Sequence, residues 1–352
     1  MNGKIWKALG IVVCMLALAA PHAMAETITH MVTADTHFAD VVKNINASGV
    51  DDENVIELCA DITLTGNHTL KRSTTIKSKD EDRKISMNGS NAGITVTGEG
   101  TVLNLGAKGY DKKLTIEGDT RVAFITVSEG ATANMYENVT LQNRKFMGNA
   151  CIVIMGSKSV FNMRGGVIKK CSRAVIADSG ATVRMLGGKI EDCEVYGDGV
   201  ILVHDNSKFI MEGGTISKCE AQMNNGGGLY ADNSTITISG GTISGCKGRC
   251  VAVCMQQMVQ PSISTAAQSA DARGDVAAVC MQQMVQPSIS TAAQSANVRH
   301  RQIMAAVCMR TIQPSTSAAA QSADAREYGA AVCMQKIPQP SKSAAAQSAD
   351  VR

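Results

Sequence analysis

Large aromatic side chains are nearly missing: they make up 3 % of the 352 residues, with one tryptophan, Trp6. Compact enzyme cores draw much of their buried area from such rings, so their scarcity points to a thin, repetitive architecture. Proline is absent from residues 26–250; Pro21 precedes that stretch and the other five lie beyond residue 260. An uninterrupted strand ladder has this property, because proline has no N–H to contribute. No run after residue 25 approaches the roughly 18 apolar residues of a membrane-spanning helix. A surplus of charge is missing too. The formal +3 of the whole chain hides 24 Lys+Arg against 26 Asp+Glu in residues 26–250, or −2. That argues against a nucleic-acid-binding body, which would need a basic face. What this stretch has is glycine, 28 of the 32 in the chain.

Residues 1–25 read as a secretory signal peptide. Lys4 and Lys7 supply a positive start, Ala8 to Ala20 a short apolar stretch, and Ala23-Met24-Ala25 a small-x-small site that places cleavage between Ala25 and Glu26. The apolar stretch is too short to span a bilayer. Val13 before Cys14 argues against lipidation, where a small residue is needed. The mature chain is expected to be secreted or held on a bacterial cell surface, with no transmembrane segment.

Repeats dominate the rest of the chain. Gly-Gly pairs stand at 165–166, 187–188, 213–214 and 240–241, at spacings of 22, 26 and 27. A β-branched strand and a cysteine come after each pair: Val167-Ile168 and Cys171, Ile190 and Cys193, Thr215-Ile216 and Cys219, Thr242-Ile243 and Cys246. Between the pairs lie two further short apolar strands, such as Val200-Ile201-Leu202-Val203 and Lys208-Phe209-Ile210-Met211. Three short strands cannot bury a face alone, but stacked units form a continuous core. The pattern predicts an all-β chain, a single-stranded right-handed parallel β-helix with strands about 4.8 Å apart. Ile216 and Ile243 should be stacked neighbours facing inward.

The phrase 226–246, Gly-Gly-Gly-Leu-Tyr-Ala-Asp-Asn-Ser-Thr-Ile-Thr-Ile-Ser-Gly-Gly-Thr-Ile-Ser-Gly-Cys, resembles the coil repeat of bacterial cell-surface and adhesin-like proteins of the pectin-lyase-like class. The resemblance is clear over 150–250 and loose over 55–149. It implies an exported protein that binds through its coil faces. In that family the position of Cys246 is commonly asparagine, so the cysteine departs from the pattern; Asn143 is read as keeping it.

Residues 55–250 are assigned to coils and 26–54 to an N-terminal cap. Within the cap, Phe38, Val41, Val42 and Ile45 fall at i, i+3, i+4 and i+7, an amphipathic helix with Asp35 or Thr36 as N-cap and Gly49 just past its end. An open β-helix end exposes unpaired backbone and needs a cover. A partner-binding helix is the alternative.

Residues 251–352 change character and are expected to be mostly disordered or weakly structured. Ala-Ala-Gln-Ser-Ala recurs at 266–270, 292–296, 319–323 and 345–349, at spacings of 26, 27 and 26, the length of a coil. The genetic code connects the two. In the frame one base earlier, the Gln268–Ser269 junction, with a TCN serine, yields only Ile or Val, and Asp271–Ala272 only Cys or Arg. That frame permits Gly-Gly-Thr-Val-Ser-Gly-Cys. Likewise Cys254 to Gln260 permits Leu-Tyr-Ala-Thr-Asp-Gly-Ala, its Ala and Gly forced by Met255-Gln256 and Met258-Val259. The tail reads as coil repeats translated out of frame after a crossover near Arg249–Val251, making the chain a truncated product. A low-complexity stalk is the alternative.

Catalytic chemistry is sparse, and no catalytic or cofactor-binding residue is assigned. Cys171, Cys193, Cys219 and Cys246 should stack at a coil corner as a structural ladder. Buried thiols are preferred there over disulfides between neighbours, whose side chains point the same way, and over zinc, which lacks C-x₂-C pairs and partner histidines. Asp178, Asp205 and Asp232 recur at 27 and 27. They are weak metal candidates and more ordinary turn residues. The hydrolases of this class would show a paired aspartate, a Gly-His-Gly and an Arg-x-Lys on neighbouring coils. The only Asp-Asp, Asp51-Asp52, precedes the coils, and His204 is the only histidine within 69–299. The expected function is adhesin-like binding of an unknown surface ligand, glycan or protein, without a cofactor. A secreted polysaccharide lyase or glycoside hydrolase is the alternative.

Overall fold

The computed structural model describes residues 26–248, apart from 147 and 223–225, together with short strands between 253 and 351. Residues 1–25, which hold the expected signal peptide up to Ala25, lie outside the described residues. The fold is a right-handed parallel β-helix. Each coil gives one strand to each of three sheets, as in Thr182–Met185, Lys189–Glu191 and Ile201–Val203. Every described pairing between neighbouring coils is parallel, and the second sheet, from Ile62–Leu64 to Thr242–Ser244, holds eight strands. Ile216 pairs with Ile243 in register, and both are buried.

The core follows from strand alternation. Inward rows carry Ile168, Ile190, Ile216 and Ile243 in one sheet and Ala133, Phe161, Val183, Phe209 and Ile236 in another, all buried. In the second row the two phenylalanines are separated by a valine, so neither ring must stack directly on another at a strand spacing of about 4.8 Å. The Gly-Gly pairs make the sharpest corners. Gly166, Gly188 and Gly214 hold φ of +78°, +78° and +85°, the left-handed region where a side chain is costly. A Cβ there would also fall 2.7–2.8 Å from the Cε of Met135, Met163 or Met185 of the preceding coil.

The cap differs from expectation in two details. The helix Phe38–Ala47 buries Phe38, Val41, Val42 and Ile45 as predicted, but His37 is its N-cap and makes no side-chain cap bond. Thr36 Oγ1 instead accepts from the N–H of Thr33 at 3.0 Å, closing a turn before the helix. The strand Thr27–Val32, within the region assigned to the cap, pairs with Glu53–Leu58 and extends the first sheet. The Asn46 side chain closes the upper edge of the third sheet: its Nδ2 donates to Thr69 O and its Oδ1 accepts from Lys71 N–H, both at 2.8 Å. It makes the bonds that a preceding strand would make.

Beyond residue 250, Val253–Gln256 pairs in parallel with Leu229–Asp232, Val279–Val285 follows it, and Val307–Gln313 follows that. The described segments there are short strands such as Ser262–Ile263. The remainder of 251–352, on which the expectation of disorder chiefly bears, lies outside the described residues.

Candidate functional site

The corner that follows the third sheet gathers the titratable residues. Register pairs Ala177 with Val203 and Val203 with Ala231, so the next positions, Asp178, His204 and Asp232, form one row. The equal spacing of the three aspartates does not make them equivalent, because the step from 177 to 203 is shorter than the step from 203 to 231. Asp205 falls in the neighbouring row with Ser179 and Asn233, whose φ values of +53°, +56° and +44° mark a left-handed corner. Short polar side chains tolerate that conformation.

His204, absent from the expected set, is what brings two of the three aspartates together. Its Nδ1 lies 3.5 Å from Asp178 Oδ1 and 3.3 Å from Asp205 Oδ2. The trio offers one nitrogen and two carboxylate oxygens within 4.8 Å of one another, a donor set that could hold a divalent cation. Asp232 stands one coil further on; its Oδ1 is buried without a hydrogen-bond partner among the described residues, while Ser234 Oγ donates to its backbone carbonyl at 2.8 Å. With Asp205 two-thirds exposed, solvent screens the cluster, and its contacts are of small energy.

The four repeat cysteines form one row of buried free thiols. Cys193, Cys219 and Cys246 each donate to the carbonyl two residues back, at 3.4, 3.4 and 3.6 Å. The upstream end of the row corrects the sequence assignment. Leu141 pairs with Ile168, which sets Asn143 opposite Lys170 and Arg144 opposite Cys171. Asn143, Lys170, Asp192, Lys218 and Gly245 make a separate left-handed row, with φ between +51° and +61°. The position of Cys246 is therefore held upstream by Arg144, a fully buried cation. Burial lowers the affinity of its guanidinium for a proton relative to an ordinary arginine.

The outer faces carry long rows of their own. On the first sheet, Asn162 Nδ2 donates to Asn134 Oδ1 and Asn134 Nδ2 to Asn104 Oδ1, both at 2.9 Å, and Asn104 Nδ2 reaches Thr75 Oγ1 at 3.2 Å. On the third sheet the outward row runs Thr95, Thr126, Val153, Ile176, Leu202 and Tyr230. The last four are part-exposed, an apolar stripe beside the Asp178–His204–Asp205 corner. Sequence reasoning missed this stripe, because each member sits in a strand whose alternate residues are equally apolar. No helix among the described residues is long and apolar enough to cross a membrane. No family model, curated protein or solved structure matches the chain, so the assignment of the fold rests on the strand register itself.

Proposed function

We propose that this chain is an exported, adhesin-like surface protein that binds a glycan or protein ligand through its exposed coil faces. The observation that carries this reading is the outward row Val153, Ile176, Leu202 and Tyr230. Four part-exposed apolar side chains in register, flanked by the charged corner at His204, make a flat amphipathic strip suited to a broad surface. The experiment is a glycan-array and cell-binding screen with the full chain, run beside a polysaccharide-cleavage assay. Binding is expected, and Ile176→Asp with Leu202→Asp should remove it while far-UV circular dichroism stays unchanged. Binding that ignores this double substitution, or turnover of an acidic polysaccharide, overturns the reading in favour of another face or of an enzyme.

The tail is read as out-of-frame coils, which makes the product truncated. The register supports this. Val253, Cys254 and Met255 lie opposite Leu229, Tyr230 and Ala231, the positions where the neighbouring frame permits Leu-Tyr-Ala. The gene should encode further Gly-Gly-Thr-(Ile/Val)-Ser-Gly-Cys units one base earlier beyond codon 250. Stop codons there would refute it.

A further inference from the structure

The upstream end of the cysteine row holds chemistry that surface binding does not use. Arg144 Nη1 donates to the carbonyls of Phe146 and Asn149 at 2.8 Å and to Ser172 Oγ at 3.1 Å; Nη2 reaches the carbonyls of Thr120 and Val122 at 3.2 and 3.3 Å. Among the described residues it forms no ion pair with a carboxylate, and its buried Nε has no hydrogen-bond partner. A buried cation is costly without a counter-charge. The ionisable groups that act on its charge are the thiols of Cys151 and Cys171 and the carboxylate of Asp119.

Cys171 heads the row of four in-register cysteines, whereas Cys151 stands outside it and opens the coil that Cys171 closes. Cys151 Sγ donates to Cys171 Sγ at 2.8 Å. Cys171 Sγ also lies 3.2 Å from the carbonyl of Lys169, where a thiol proton points. Cys171 borders a surface depression of about 430 Å³, lined also by Lys145, Lys170, Asp192, Glu194 and Tyr196, while Cys151 is wholly buried. Cys171, itself 2 % exposed, borders that depression and Cys151 does not. The lining offers charges of both signs.

We propose that Cys171 and Cys151 form a thiol–disulfide exchange site for a small peptide disulfide that carries both positive and negative groups. The thiolate of Cys171 attacks one sulfur of the incoming disulfide, forming a mixed disulfide and releasing the first peptide thiolate. Cys151 passes its proton to that thiolate and attacks the Cys171 sulfur. The Cys151–Cys171 bond forms as the second peptide thiolate leaves. Two protein thiols lose two electrons, and the peptide disulfide gains them as one thiol and one thiolate. The hydrogen bond from the Cys151 thiol, with the Arg144 charge nearby, holds the Cys171 thiol below its ordinary value, while burial pushes the Cys151 thiol up.

The test uses the reduced full chain and glutathione disulfide, followed by alkylation, trypsin and mass spectrometry. The expected product links the peptide 146–158 to the peptide 171–173, with Cys193, Cys219 and Cys246 recovered alkylated after unfolding. Cys151→Ser should instead retain glutathione on Cys171. Recovery of Cys151 and Cys171 both alkylated in the wild-type chain overturns the proposal, as does a Cys171–Cys193 link. If Cys151→Ser fails to fold, the wild-type map decides alone.

Discussion

Replacing Asn134 by alanine tests the register of the middle coils through a feature that depends on it. Asn134 is buried on the outer face of the first sheet. Its Oδ1 accepts from Asn162 Nδ2 at 2.9 Å and from Arg164 Nε at 3.3 Å, and its Nδ2 donates to Asn104 Oδ1 at 2.9 Å. Three bonds at a net of about 0.5–1.5 kcal/mol each would sum to several kcal/mol. Asn104 and Asn162 are half-exposed, however, and water replaces part of what they lose. We expect about 2 kcal/mol of destabilisation, measured by urea unfolding followed by far-UV circular dichroism. Asn162→Ala alone removes one of the same bonds. The double variant should therefore cost less than the sum of the singles, by about 0.5–1 kcal/mol. Strict additivity would show that the two amides do not touch, and the register that places them side by side would fall with that result.

Two further outcomes follow from corners and charge. Gly166→Ala should destabilise far more than Gly100→Ala: both hold positive φ, which costs about 1–2 kcal/mol for a non-glycine residue. At Gly166, however, the new Cβ would also meet the carbonyls of Val139 and Tyr136 at 2.5 and 2.6 Å, while at Gly100 it meets nothing within 4 Å. Equal losses in urea midpoints would refute the corner geometry. Glu117 accepts from Gln142 Nε2 at 2.8 Å and Asn143 Nδ2 at 3.1 Å and pairs with Lys84 at 3.2 Å. The Gln142 bond first, then Lys84, holds its carboxyl below the ordinary 4.5. A depressed folded value means stability that is fully present above the ordinary value and lost as pH falls through the folded one. Glu117→Gln should accordingly flatten the loss of stability below pH 4.5, and an unchanged acid limb of the pH–stability curve would contradict the assignment.

The coil architecture, the inward place of Ile216 and Ile243, and the buried face of the helix Phe38–Ala47 were legible in the residue pattern. In each case a strong local period, that of the coil or that of the helical turn, coincides with burial. Legibility ended where equivalence depends on coil length. Equal spacing made Asp178, Asp205 and Asp232 look like one row; coils of unequal length put His204 in the middle position and moved Asp205 aside. The same logic exchanged Asn143 for Arg144 at the head of the cysteine row. Insertions at corners change the count without disturbing the ladder, so sequence distance and spatial row part company there.

Composition and period by themselves determined that the coil repeats wind into a parallel β-helix, since proline-free strands of β-branched residues bury a face only by stacking on their own repeats. Which side chains meet across coils was decided by the tertiary structure alone. The Cys151–Cys171 contact, the His204 corner and the asparagine ladder each join residues from separate strands or coils, and hydrogen-bond register, not sequence spacing, brings such residues within a few ångströms.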